Sequence, residues 1–368
     1  MDRKLGISIY PDKSSIDDMK AYIDKASKYG FKRIFSNLLL PNKSKKEIVT
    51  TFKDIFKYSK DRDFEIIVDT NENIFKMFDI KIDDLSFFKN IGADGIRLDG
   101  GFSNMQKARL TYNKENLKIE INMSAVEHAI DNLFDYSPNR FNLLGCHNFY
   151  PQRHSGISLD FFNRNTVKFN QKKIRTAAFV CSQNNNAYGP WPITEGLPTL
   201  EMHRDLPMDV QLKHFIAMDS IDDIIISNCY PSDEELNKIK NISLTEPTFS
   251  VELEDKLPDV MKKIVLDTDL FYRGDVSDYI IRSSNTVAEF EDEDIPQFNQ
   301  KEYIEKGSII VNANEYKQYK AEFQIAKQTF KNTGKSNVVG KITDDEIFIL
   351  DFLKPWQKFN LKLKESEK

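Results

Sequence analysis

The chain has 368 residues and only three cysteines, Cys146, Cys181 and Cys229. An odd count, placed in or just after the apolar runs FNLLGC, RTAAFVC and DIIISNC, predicts buried reduced thiols and leaves no disulfide framework. None has an adjacent base that would make it a nucleophile. Nowhere do 18 apolar residues run together, which excludes a membrane-spanning helix. The opening MDRKLGISIYPD carries no 7–15-residue apolar stretch of the kind that drives export, so a cytoplasmic protein is expected. Basic tracts are missing too, and with a net charge of −5 the surface does not suit nucleic acid. The five histidines, His128, His147, His154, His203 and His214, show no paired metal-ligand spacing, and no metal or cofactor is indicated. No GxGxxG follows the first strand, which argues against an open dinucleotide-binding sheet.

What is present is a run of short apolar strands ending in polar residues. Strand-like and helical stretches alternate from the start: KLGISIY, SSIDDMKAYIDKASKYG, RIFSNLLL, SKKEIVTTFKDIFKYSK, EIIVDT. Ser44 followed by Glu47 has capping-box spacing, and Gly30 closes the first helix. GIRLDG, KIEINMS, FNLLGCHNF, RTAAFVCS and DIIISN bring the strand count to eight, in about 240 residues, the size and number of a (β/α)8 TIM-type barrel. After about residue 245 the pattern turns strand-rich, with TFSVELE, DYIIRSS, GSIIVNA and EIFILDFL around an acidic EFEDEDIP. Two domains are therefore expected, an α/β barrel over 1–244 and a smaller, mostly β domain over 245–368. The closing KFNLKLKESEK reads as a solvated end.

Active sites of such barrels sit at the carboxyl ends of the strands. Side chains alternate along a strand, so Arg97 and Asp99 share one face of GIRLDG, and Glu120, Asn122 and Ser124 share one face of KIEINMS. The rim candidates are Asp69, Asp99, Glu120, His147, Asn148, Tyr150, Glu195, Glu201 and Asn228. Adjacent strands lie about 4.8 Å apart, so Asp99 and Glu120 are the expected carboxylate pair, with Asp69 or Glu201 as substitutes. Two carboxylates at such spacing are what glycoside hydrolysis requires, one to protonate the leaving oxygen and one to attack or to activate water. The same residues also fit a purely structural reading, in which Arg97 and Asp99 form a buried ion pair and Asn122 holds Glu120. The loop GCHNFYPQRHSGIS and the stretch SQNNNAYGPWPITEGLPTLEMHRDLP add amides, arginines, Tyr188 and Trp191, the aromatic and polar mixture that holds sugar rings. In the second domain Arg273 is an arginine suited to phosphate.

KLGISIYP, LSFFKNIGADGIRLDGGF, LKIEINMS, LLGCHNFYPQRHSGIS, GPWPITEGLPTLEMHRDLP, RGDVSDYIIRSS and FILDFLKPWQKF together resemble the MupG family, the 6-phospho-N-acetylmuramidases, nearly end to end. The resemblance implies a TIM-type barrel followed by a cyclophilin-like β domain. It also implies cytoplasmic hydrolysis of the disaccharide N-acetylmuramic acid 6-phosphate β-1,4-N-acetylglucosamine during peptidoglycan recycling. Arg97, Asn122, His147, Asn148 and Tyr150 are then expected to orient the sugars. Trp191 and Asn228 are expected to line the substrate site. The phosphate is expected near the loops after strands seven and eight, with Arg273 reaching it. Two other classes stand beside this one: a sugar-phosphate-binding protein without turnover, and another barrel reaction such as an aldolase or epimerase. The last would call for a Schiff-base lysine at a strand end or a metal cluster. The sequence leaves open whether the anomeric configuration is retained, which carboxylate is the acid, and the oligomeric state.

Overall fold

The computed structural model describes residues 2–38, 44–193 and 195–364. The chain divides into two compact units, Met1–Leu212 with Asp219–Asn241 and Lys213–Met218 with Ile242–Lys368. In the first, eight parallel strands close into a barrel in chain order: β1 (Lys4–Ile9), β2 (Arg33–Asn37), β3 (Glu65–Asn71), β4 (Gly95–Gly100), β5 (Lys118–Asn122), β6 (Leu143–Cys146), β7 (Arg175–Val180) and β8 (Asp223–Ile226). Leu39 and Leu40, which end the second expected strand, lie outside the described residues. Between the strands run α1 (Ile16–Lys28), α2 (Lys45–Lys60), α3 (Glu72–Met77), α4 (Ser86–Ile91), α5 (Asn104–Leu110), α6 (Ala129–Phe134), α7 (Leu159–Gln171) and α8 (Met208–Met218), with α9 (Asp233–Lys240) after the last.

Serine starts five of these helices. Ser15, Ser44, Ser103, Ser158 and Ser232 each accept from the backbone N–H three residues on, satisfying a donor that has no partner inside the helix. At Ser44, Ser103 and Ser232 a Glu or Gln reaches back to complete a capping box.

The outward faces of the strands, such as Ile66 with Val68 and Ile119 with Ile121, are buried beneath the helices. Inside, the barrel is layered. Low in the interior Arg33 pairs with Glu120 and, at 2.7 Å, with Asp223, all three out of water; Asp223 also holds the partly exposed Arg175, so two positive and two negative charges balance. Above them Tyr10, Phe35, Cys146, Ala177, Phe179, Ile225 and Cys229 form an apolar cluster on the β6–β8 and β1–β2 side. The opposite side, β3 to β5, carries charge up to the rim.

The second unit is built on a seven-stranded sheet with a short two-stranded one. Its strands are β9 (Thr248–Leu253), β10 (Leu270–Phe271), β11 (Ile280–Ser283), β12 (Tyr303–Ile304), β13 (Ser308–Asn312), β14 (Phe323–Ala326), β15 (Phe330–Lys331), β16 (Ser336–Ile342) and β17 (Lys358–Leu363). The larger sheet runs β10-β17-β9-β16-β13-β14-β11, and β12 pairs with β15. Two expectations are corrected here. KFNLKL is not a solvated end: it is β17, parallel to β9, with Phe359 and Leu361 buried. EIFILDFL is not a strand but a turn of 3-10 helix over Ile347–Phe352. Among the described residues no helix is long and apolar enough to cross a membrane.

Candidate active site

At the rim, strand register places Asn37 beside Asp69 and Asp69 beside Arg97. Arg97 is the hub. Its Nη1 donates to Asp69 Oδ1 at 2.9 Å and to Asp99 Oδ1 at 3.1 Å, and its Nη2 donates to Asn148 Oδ1. The guanidinium is almost fully enclosed, whereas Asp99 is half exposed and Asp69 a quarter exposed. Burial is the largest influence on Asp69. Arg97 opposes it, the neighbouring charges of Asp99 and Glu120 add to it, and the carboxyl is pushed up to about 6.

The expected pairing of Asp99 with Glu120 does not form. Arg97, not Asp99, is the register partner of Glu120, so Glu120 lies two residues lower in the barrel. There it is fully buried against Arg33, and among the described residues its Oε1 has no hydrogen-bond partner. Asp69 takes its place beside Asp99.

His147 is also displaced from its expected role. The preceding residue on β6, Cys146, points into the barrel, so His147 points out, stacked on Phe162 of α7. Its Nε2 lies 2.9 Å from Thr166 Oγ1, whose own proton goes to the Phe162 carbonyl, so Nε2 carries the hydrogen. Nδ1 is then bare and accepts from Ser124 Oγ at 2.9 Å. Burial, with Arg97 adding, pulls the ring down to about 3, so it stays neutral. Its service to the rim is indirect: Ser124 Oγ, oriented by His147, accepts from the Asn148 backbone N–H at 3.0 Å.

Asn122 Oδ1 accepts from Ser124 N at 2.7 Å, and Thr199 Oγ1 donates to the Asn148 carbonyl at 2.8 Å. Burial holds the Tyr150 phenol above its ordinary range, opposed by its neighbours Ser124, Arg97 and Asn148, which places its hydroxyl in this same group. Asp69, Arg97, Asp99, Asn122, Asn148 and Tyr150 are thus brought together. Ser124 and Lys107 join them without having been singled out. Alternation already put Ser124 on the Glu120 face; nothing in the sequence marks Lys107, which α5 carries to the charges of Arg97 and Asp99.

Glu201, the other substitute acid, is a staple. It takes two hydrogen bonds from Arg204, at 2.7 and 2.6 Å, and the N–H groups of His154 and Gly156, each at 2.7 Å. Those bonds, Arg204 first, hold it down at about 2 against the opposing effect of burial, the wrong direction for a proton donor. Glu195 accepts from Arg153 N at 2.8 Å. Asn228 is likewise spent, bridging Ser182 N at 2.8 Å and Ser182 O at 3.0 Å. It borders a cavity of about 280 Å³ formed with Arg153, Asn184, Tyr188, Glu195 and Arg204. Trp191 is 46% exposed on the loop beside it. Arg273 lies in the second unit, with Nε 2.6 Å from Asp275 Oδ1 and Nη1 donating to Ser284 Oγ at 3.0 Å. Among the described residues no cluster of three His, Cys, Asp or Glu side chains is placed to hold a metal ion.

Two solved structures resemble the whole chain. A Bacillus cereus protein described as uncharacterized is 39% identical over 98% of this chain and 100% of its own, with a TM-score of 0.89. A conserved protein from an Enterococcus faecalis locus, of unknown function, is 23% identical over 99% and 97%, with a TM-score of 0.72, and shows the fold. No curated protein matches the chain. Residues 5–241 match the N-terminal and residues 247–362 the C-terminal model of 6-phospho-N-acetylmuramidase, and the chain therefore belongs to the MupG family of 6-phospho-N-acetylmuramidases.

Proposed function

We propose that this protein is a glycosidase that cleaves the β-1,4 bond between N-acetylmuramic acid 6-phosphate and N-acetylglucosamine, in the cytoplasm, during peptidoglycan recycling. The observation that carries the chemical part is that Asp69 and Asp99 share one nitrogen of Arg97 in environments of different wetness. Glycoside hydrolysis needs one carboxyl that keeps its proton and a second that does not share that task, and unequal environments create the difference. Asp69, raised to about 6 and largely shielded, is assigned as the general acid. Asp99, open to the solvent side, is assigned as the second carboxylate, facing the anomeric carbon. Their Oδ1 atoms lie 2.9 and 3.1 Å from the same nitrogen, hence at most about 6 Å apart, which favours direct attack over a water held between them.

Arg97 fixes both carboxylates, and Asn148, Asn122 and Tyr150 supply hydrogen bonds to sugar hydroxyl and acetamido groups. Trp191 offers an exposed aromatic face for stacking. The test is to incubate the purified protein with the 6-phosphorylated disaccharide and with its unphosphorylated twin, and to follow free N-acetylglucosamine by mass spectrometry. Release from the phosphorylated form, far faster than from its unphosphorylated twin, is expected. No release from either overturns the reading.

A further inference from the structure

A phosphate dianion needs a cation whose charge the protein has not already used. Beside the strand ends most cations are used. Arg97 serves Asp69, Asp99 and Asn148. Lys13 Nζ donates to the Gly189 and Trp191 carbonyls at 2.8 and 3.2 Å. Arg153 forks onto Asp205 at 2.7 and 2.9 Å, and Arg204 onto Glu201. The cavity after β7 and β8 therefore meets a ligand with its arginines already neutralised, and suits an uncharged, hydroxyl-rich group better than a phosphate.

Lys107 is different. Among the described residues its ammonium has no hydrogen bond and no ion pair, although the side chain is half-buried. It is held in place by a short, specific turn. Only three residues, Gly100 to Phe102, separate Asp99 from the Ser103 cap of α5, and the Ser103–Gln106 capping box fixes the first turn on which Lys107 follows. Gly101 makes the turn with φ of +82°, and a Cβ there would collide with Glu72. Burial and the like charge of Arg97 both push the Lys107 pKa down, with Asp99 opposing. An ammonium withdrawn from water beside another cation gains most when an anion arrives, since the anion compensates both penalties.

We propose that Lys107 is the specificity-determining residue that reads the 6-phosphate of the substrate, from the β4–α5 side of the rim. The assignment rests on the muramidase reading for its substrate, and displaces the phosphate from the loops after the seventh and eighth strands. It does not require Lys107 to take part in bond cleavage.

The experiment compares wild type, Lys107→Gln and Lys107→Arg. Steady-state kinetics would use the phosphorylated and the unphosphorylated disaccharide. Calorimetry would use N-acetylmuramic acid 6-phosphate and plain N-acetylmuramic acid. Lys107→Gln is expected to lose about 10- to 100-fold in kcat/KM on the phosphorylated disaccharide, mainly through KM, with the unphosphorylated one little changed. Binding of the phosphorylated monosaccharide should weaken by a similar factor, and Lys107→Arg should recover most of both. Equal losses on the two disaccharides, or no loss, overturn the assignment, as does wild-type binding that ignores the phosphate. A wild type that cleaves neither disaccharide but binds the phosphorylated sugar through Lys107 sinks the muramidase reading and leaves Lys107 standing.

Discussion

Asp69 Oδ1 lies 2.9 Å from Arg97 Nη1, and the same nitrogen reaches Asp99. Replacing either carboxylate by its amide keeps the shape and removes the chemistry. Asp69→Asn and Asp99→Asn should each lower kcat by about a thousandfold with the melting temperature little changed. A variant within tenfold of wild type removes that residue from the mechanism.

The raised Asp69 gives the pH dependence its sign. A general acid works while protonated, so kcat should fall as pH rises through about 6. In Asp69→Asn the residual rate should lose that alkaline limb. A limb that persists in the variant assigns the titration to another group.

Stereochemistry follows from the short span between the carboxylates. Proton NMR of the phosphorylated sugar released early in the reaction should show the β anomer, the configuration of the bond cleaved. Early appearance of the α anomer would mean that water, not Asp99, attacks.

His147 should matter for stability more than for chemistry. His147→Leu leaves Ser124 and Thr166 without their partner and should cost about 2 kcal/mol, read by denaturant unfolding. The folded ring resists protonation down to about 3, while an unfolded histidine titrates near 6.5. Its contribution is present above about 6.5 and is lost as pH falls toward 3, so the variant should show a shallower acid limb.

Glu201→Gln tests the staple. The change breaks an ion pair to Arg204, only 2% exposed, and should destabilise by about 3 kcal/mol. Asp205 and Arg153 are untouched, so the loss should show in unfolding midpoint well before it shows in kcat on folded protein.

All eight barrel strands and the inward faces of Arg97 and Asp99 were readable from alternation and strand ends. The depth of Glu120 was not. Alternation tells which way a side chain points but not how high it sits, because height depends on the stagger of β4 against β5, which only barrel closure fixes. Arg33, its buried partner, comes from a strand 87 residues earlier. His147 was recoverable, since Leu144 and Cys146 set the inward phase of β6 and put it on the outer face. Alternating Phe359 and Leu361 likewise marked β17, but four lysines in KFNLKLKESEK hid a strand whose other face meets water.

The ion set of Arg33, Glu120, Asp223 and Arg175 has a consequence for how this barrel can change over generations. Losing one member strands a charge in the interior, so exchange there must proceed by matched replacements, and single-step drift is blocked. At the rim, Lys107 has no such obligations. One codon change there alters what the mouth of the barrel accepts and leaves its foundation as it was, so new substrate preferences are reached from above, never from below.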